Sequence, residues 1–307
     1  MALNTKTIRG RLRSINNTKK ITKAMEMVAA VKMRKAVFSV LASRAYAATA
    51  WRLVLDLAAK VEPENHPLLK PRENPKNVLI ILISGNRGLC GGFNSRIIAQ
   101  ALDFTGQMKQ AGRENILWMA LGKKGANFLA RQGQNMVAEF EKPEIADSVN
   151  NILPLAQMAI KGFLSGEYDQ VVVCYTDFIS ALNQKPKIRQ LLPFVAAPDA
   201  DLGQVKSQPV PQDKSEVDFG DLLFEPSPAE VLNQFLPRLV EIQIYQALLE
   251  SNAGEHSARM MAMKNASEAA TDMISDLTLI YNQARQAGIT REIAEISVGK
   301  AVLEDNN

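Results

Sequence analysis

The stretch Ser84-Gly85-Asn86-Arg87-Gly88-Leu89-Cys90-Gly91-Gly92 follows the dense apolar run at 78–83. Glycines at a strand-to-helix turn are what a phosphate-binding loop requires, because backbone amides can close on an anion only where no side chain intervenes. This stretch lacks the Lys-Ser/Thr ending of a P-loop and the full spacing of a dinucleotide fingerprint, so a plain strand-to-helix connection competes with the nucleotide reading. Cys90, Cys174, His66 and His256 are the chain's cysteines and histidines, and their spacing matches neither a zinc site nor a disulfide framework. No catalytic, cofactor-binding or metal-ligating residue is therefore expected, and a reducing, cytoplasmic setting fits.

Charge offers a second kind of chemistry. Between Lys6 and Arg44 there are eleven lysines and arginines against the single acid Glu26, within a chain whose net charge is only +4. Such a helix suits a solvated face, nucleic-acid phosphate, anionic lipid or an acidic protein surface. No aromatic side chain that could stack on a base occurs before Phe38, which weakens the single-stranded nucleic-acid option. No apolar run approaches the roughly 20 residues that span a bilayer, and the opening residues show no apolar signal-peptide core. The chain is expected to stay in the compartment where it is made.

Three blocks position these residues. From about 5 to 60 there is no proline, and Leu12, Ile15, Thr22, Met25, Ala29, Met33, Ala36, Val40, Ala47, Val54 and Leu57 recur at three- and four-residue steps, predicting one long helix. A linker with Pro63, Pro67, Pro71 and Pro75 follows and is expected to be stiff and extended. The middle block predicts strands at 78–84, 116–121, 136–140, 170–176 and 187–192, and helices at 94–111, 125–132 and 148–165. That alternation implies a Rossmann-like α/β domain with a mostly parallel sheet. An acidic, proline-containing segment, 196–226, reads as a variable loop.

The last block opens with Ser227-Pro228-Ala229-Glu230, an N-cap signature, and carries helical pattern to about Leu303, with a kink expected at Pro237. A helix of roughly 75 residues is about 110 Å long, more than a compact domain can cover. The two terminal helices are therefore expected to form a long antiparallel coiled coil. Ala258, Ala262, Ala266, Ala269, Met273, Leu277 and Ile280 predict its narrow seam, with Met25, Met27 and Met33 opposite Met260, Met261 and Met263. The organisation is thus 1–61 first helix, 62–76 linker, 77–195 α/β domain, 196–226 loop and 227–307 last helix. Taken alone, it also fits a nucleotide-binding α/β enzyme with a coiled-coil arm, or a basic helical-hairpin RNA-binding module.

Four segments carry a resemblance: NTKKITKAMEMVAAVKMRKA at 17–36, RGLCGGFN at 87–94, ARMMAMKNAS at 258–267 and YNQARQAGITREIAEI at 281–296. In this order they make the chain similar, along nearly its whole length, to the gamma subunit of bacterial F-type ATP synthases. The resemblance implies a non-catalytic rotor shaft that couples ion-driven rotation to ATP synthesis or hydrolysis. Its coiled coil enters a ring of three alpha and three beta subunits, its C-terminal tip sits in an apolar sleeve, and its α/β domain meets the epsilon subunit and the c-ring. The expected location is the cytoplasmic face of a bacterial cell membrane, peripheral and held only through partners, with no nucleic acid bound.

The same resemblance carries residue roles. Met25 and Arg259 are implied to lie near an acidic loop of a beta subunit, Arg285 and Gln286 to hydrogen-bond a beta subunit as a catch, and Ile289, Ile293 and Ile296 to fill the apolar socket. One departure is visible: the chloroplast members' cysteine pair has no counterpart in 196–226, so thiol control of rotation is not expected.

Overall fold

A computed structural model describes residues 5–60, 66–194 and 225–304, with side chains described throughout except at 44–48, 51–60, 228–229 and 299–304. The loop expected at 196–226 lies almost wholly outside the described residues. The element order is α1 (Thr5–Lys60), β1 (Asn77–Ile83), α2 (Phe93–Gln110), β2 (Asn115–Leu121), α3 (Lys123–Arg131), β3 (Met136–Phe140), α4 (Leu153–Ser165), β4 (Gln170–Phe178), β5 (Gln184–Leu192) and α5 (Pro228–Glu304). The chain divides into two compact units, Ala29–Arg259 and the pair Met1–Val28 with Met260–Asn307.

The larger unit is built on one five-stranded sheet in the order β3-β2-β1-β4-β5. β1 runs parallel to β2 and β4, β2 parallel to β3, and only β5 is antiparallel, against β4. β1 is central, and its residues Val78 to Ile83 are all buried, as a strand covered on both faces must be. Side-chain alternation then sorts the core into two layers. Val78, Ile80 and Leu82 pack with Ile97 and Ala101 of α2 and Leu129 of α3. Leu79, Ile81 and Ile83 belong to the other layer, with Leu155 and Phe163 of α4 and Leu236, Leu248 and Ala253 of α5.

One feature differs from the sequence expectation. Leu68 and Leu69, in the proline-rich linker, are buried in the second layer, and the Leu68 carbonyl accepts a hydrogen bond from the Phe194 amide at 2.8 Å. The described part of the linker is therefore anchored by its two leucines, because burying them outweighs the extended preference of the prolines around them. As expected, α5 is helical on both sides of Pro237. Its cap is the expected one: the Ser227 hydroxyl accepts from the Glu230 amide at 3.2 Å.

The smaller unit pairs the start of α1 with α5 in antiparallel sense. Arg9 donates to the Tyr281 hydroxyl at 2.6 Å and the Thr22 and Ser267 hydroxyls lie 2.7 Å apart, so thirteen residues forward in α1 correspond to fourteen backward in α5. On α1 the least exposed positions are Ile8, Leu12, Ile15, Lys19 and Thr22; on α5 they are Met263, Ser267, Ala270, Ile274, Leu277 and Tyr281. Both series step by four and three, the 3.5-residue period of a coiled coil. The seam expected on α5 is thus corrected by one position: Ala269, Met273 and Ile280 are exposed, as is Met27 on α1. One residue turns a helix by about 100°, and Ser267, whose hydroxyl meets Thr22, occupies the place that alanine spacing assigned to Ala266.

Close packing in the larger unit can be tested at Gly162 in α4. Alanine in a helix interior is ordinarily favoured over glycine by about 1 kcal/mol. A Cβ at Gly162, however, would stand 2.2 Å from the buried Tyr168 ring. Gly162→Ala is expected to destabilise the chain by about 2 kcal/mol, measured as a lowered urea midpoint; an unchanged or raised midpoint would refute the packing.

Candidate partner-binding surfaces

The glycine-rich stretch after β1 does form a strand-to-helix turn, and its polar groups are used internally. The Gly85 amide donates to Asn94 Oδ1 at 2.8 Å, Asn94 Nδ2 lies 3.3 Å from Cys90 Sγ, and the Phe93 amide donates to the Cys90 carbonyl at 3.2 Å. Leu89 takes a positive φ of 62° and exposes its side chain while Cys90 is buried. Burial, followed by the nearby Glu255 carboxylate, pushes the Cys90 thiol up, so it is a poor source of thiolate.

Beside this turn lies a cluster that sequence patterning did not find. Glu255 of α5 is ion-paired to Lys142 at 2.6 Å and to Arg259, one helical turn on, at 2.6 Å, with side chains only 8%, 2% and 13% exposed respectively. Burial alone would raise the Glu255 carboxyl, but Lys142 and Arg259 outweigh it and hold it down at about 2. Lys142 also lies over the Phe93 ring, 5.5 Å from its centroid. A Cβ on Gly85 would meet the Glu255 carboxylate at 3.1 Å, so the glycine permits this approach. The carboxylate thus stands beside the turn where a phosphate would have to sit, and the two nearest buried cations are already committed to it. Glu255 and Arg259 were readable as an i,i+4 pair; Lys142, in the loop after β3, carried no signal.

Further charges surround the cluster. Glu144 pairs with Lys32 of α1 and with Arg87 at 3.7 Å, and Lys32 holds its carboxyl below the ordinary range against the opposing effect of burial. His256 is buried with Nε2 3.3 Å from the Glu144 carbonyl, and burial pushes the imidazole down.

The residues singled out from sequence belong to both units. Met25 is half-buried at the edge of the α1 seam, in the smaller unit, and Arg259 is held by Glu255 in the larger. Arg285, Gln286, Ile289, Ile293 and Ile296 are all exposed on α5, with Ile296 72% exposed. At 100° per residue these five share an arc of about 100°, one continuous apolar stripe with Arg285 and Gln286 at its beginning. On α1, Arg11, Arg13 and Lys20 are exposed, so the basic character expected there faces outward. No helix among the described residues is long and apolar enough to cross a membrane.

Comparisons with known proteins bear on these surfaces. The ATP synthase family model matches residues 4–303. The chain is 43% identical to the ATP synthase gamma chain of Herpetosiphon aurantiacus, over 96% of this chain and 97% of that one. It is 42% identical to the ATP synthase gamma chain of Pelotomaculum thermopropionicum, over 97% and 98%. Among solved structures it resembles a chain of the Tetrahymena thermophila mitochondrial ATP synthase central stalk and c-ring, 27% identical with a TM-score of 0.58, over 80% of this chain and 99% of that one. A rotor chain of the Euglena gracilis mitochondrial ATP synthase, at 17% identity, shares the fold, with a TM-score of 0.61 over 93% and 98%.

The Glu255 cluster predicts a definite acid response. A carboxyl depressed in the folded state contributes stability that is present above its unfolded value near 4.5 and lost as pH falls toward about 2. The linked contribution is on the order of 3 kcal/mol. Between pH 5 and pH 2 the urea midpoint of the native chain should fall more steeply than that of Glu255→Gln; parallel profiles would rule out the depressed carboxyl.

Proposed function

We propose, since this chain belongs to the gamma-chain family of ATP synthases, that it acts as a non-catalytic shaft whose last helix engages the catalytic head. As a gamma chain it is the rotor subunit of the central stalk. Its partners are the alpha and beta subunits of the head, the epsilon subunit and the c-ring, and rotation couples ion flow to ATP synthesis or hydrolysis. Catalysis belongs to the head: in this chain the glycine-rich turn is faced by the Glu255 carboxylate, and Lys142 and Arg259 are paired to it. The chain is placed at the cytoplasmic face of the bacterial cell membrane, peripheral and attached through its partners. In domain terms, 1–61 and 227–307 supply the shaft helices, and 62–76, 77–195 and 196–226 the linker, α/β domain and variable loop.

The observation that carries this reading is the stripe at the end of α5. Ile289, Ile293 and Ile296 lie exposed on one face, beyond the last seam residues. An apolar row of this kind on an isolated helix marks a surface completed by another chain. We assign it to an apolar sleeve in the head, with Arg285 and Gln286 hydrogen-bonding a beta subunit as a catch. Met25 and Arg259 are assigned to the neighbourhood of the beta subunits' acidic loop, to which the exposed basic face of α1 is complementary.

Mixing the chain with alpha and beta subunits from the same source should give a complex containing one copy, isolated by size exclusion, with stimulated ATP hydrolysis. Replacing Arg285 and Gln286 together by alanine should lower turnover of the assembled complex about tenfold, the effect of losing charge-assisted hydrogen bonds. Unchanged turnover would remove the catch assignment, and failure of the native chain to join properly folded partners would remove the shaft reading itself.

A further inference from the structure

Helix α5 crosses the larger unit with nearly every side chain from Leu239 to Ser257 buried; up to Ala253 its apolar contacts are interspersed with scattered polar ones, Tyr245 donating to the Ala146 carbonyl at 3.1 Å and Gln246 accepting from Ser43 at 2.6 Å. Apolar burial is non-directional and constrains the rotation of a helix about its own axis through the fit of shapes, not through bonds. From Asn252 to Arg259 the polar contacts become dense. Asn252 Nδ2 donates to the Pro143 carbonyl at 3.1 Å, Glu255 pairs with Lys142 at 2.6 Å, and His256 Nε2 is 3.3 Å from the Glu144 carbonyl. Arg259 reaches the Gly88 carbonyl at 3.4 Å. Ser257, on the opposite side of the helix, donates to the Ala181 carbonyl at 2.6 Å and lies 3.3 Å from Gln184 Nε2.

Two turns of α5 are thus gripped from both sides by the segments that follow β1, β3 and β4. Every one of these contacts is directional, and turning the helix by one residue, about 100°, would exchange or break all of them. The charges are expensive to bury, and an apolar helix face would have covered the sheet at lower cost. What buried pairing adds over apolar packing is a single allowed orientation.

We propose that these contacts form a collar, with Glu255 as its central positioning residue, that fixes α5 in azimuth against the sheet and so carries torque between the α/β domain and the helix. The inference rests on the rotor reading above. In the collar, Glu255 is held by a cation from its own helix and one from the loop after β3, while Ser257 holds the opposite face to the β4–β5 turn. Loss of either leaves α5 packed but free to slip in angle under load.

The test uses the whole ATP synthase assembled with this chain in inverted membrane vesicles, with ion uptake and ATP hydrolysis measured together. Native chain that supports no ATP-driven uptake would overturn the rotor reading before any variant is compared. With that arm satisfied, Glu255→Gln and Ser257→Ala together should lower the ions moved per ATP by about threefold, a modest pairwise coupling expressed as a rate ratio. Leu248→Ala, which removes buried apolar contact in the same helix, should lower the thermal midpoint and leave the ratio as it was. Each single collar variant should lower the ratio less than the pair. A ratio unchanged in the collar variants, or lowered equally by Leu248→Ala, would overturn the collar.

Discussion

A helix of 77 residues is about 115 Å long, and no single partner in this chain can cover one face of it from end to end. The rest of the molecule follows from how α5 answers that constraint. Leu232 to Ala253 share the core of the sheet domain, where leucine, isoleucine and valine provide bulk. Met263 to Tyr281 pair with a second helix, and there the narrow seam passes from Met263, Ser267 and Ala270 to the bulkier Ile274, Leu277 and Tyr281. From Ile289 to Val298 every described side chain is exposed, and isoleucine returns. Composition changes along the helix because its neighbour changes.

Polar pairs settle what apolar contact leaves open. A seam that repeats every 3.5 residues can be offset by a heptad and still bury apolar side chains, because apolar contact is non-directional. The Thr22–Ser267 hydroxyl pair resists that slip, since each displaced hydroxyl would be buried against a methyl or a methionine instead of its partner. Arg9 on the Tyr281 ring and hydroxyl fixes the same register nearer the start of α1. The Lys142–Glu255–Arg259 cluster has an analogous effect on the sheet domain, where specificity of orientation compensates for the cost of three buried charges.

Most of the fold was legible because its signals are periodic. β3 agrees with its predicted bounds, β1, β2 and β4 differ by at most two residues at either end, and β5 starts three residues early, at Gln184. The antiparallel sense of β5 is consistent with a short hairpin connection from β4. What was not legible depended on identity of neighbours. In ARMMAMKNASEAA nearly every position is small, flexible or polar, so three- and four-residue spacing fits two adjacent faces, and only the hydroxyl pair distinguishes them. Lys142 reads as a surface residue until Glu255, distant in sequence, is placed opposite it. The anchoring leucines of the linker were masked by the prolines beside them. The partner-contact residues came from resemblance, since Arg285 and Gln286 by themselves are indistinguishable from an ordinary solvated face.

A chain organised in this way is incomplete as an isolated molecule, and the incompleteness is graded. The sheet domain closes both faces of its core and the paired helices close a seam, while the end of α5 closes nothing among the described residues. If the stripe from Ile289 to Ile296 served only to extend the helix, polar residues would serve better, because exposed isoleucine favours aggregation and has weaker helix propensity than lysine or glutamate. Retaining isoleucine there is consistent with a surface buried elsewhere. In the proposed sleeve an apolar surface would suit turning, since directional bonds would hold one angle and oppose every other. Directional contacts belong instead where orientation has to be kept, at Asn252 to Arg259. The same helix thus presents an exposed apolar face at the tip and directional polar contacts at the sheet, a division that suits the proposed rotation at one place and fixed orientation at the other.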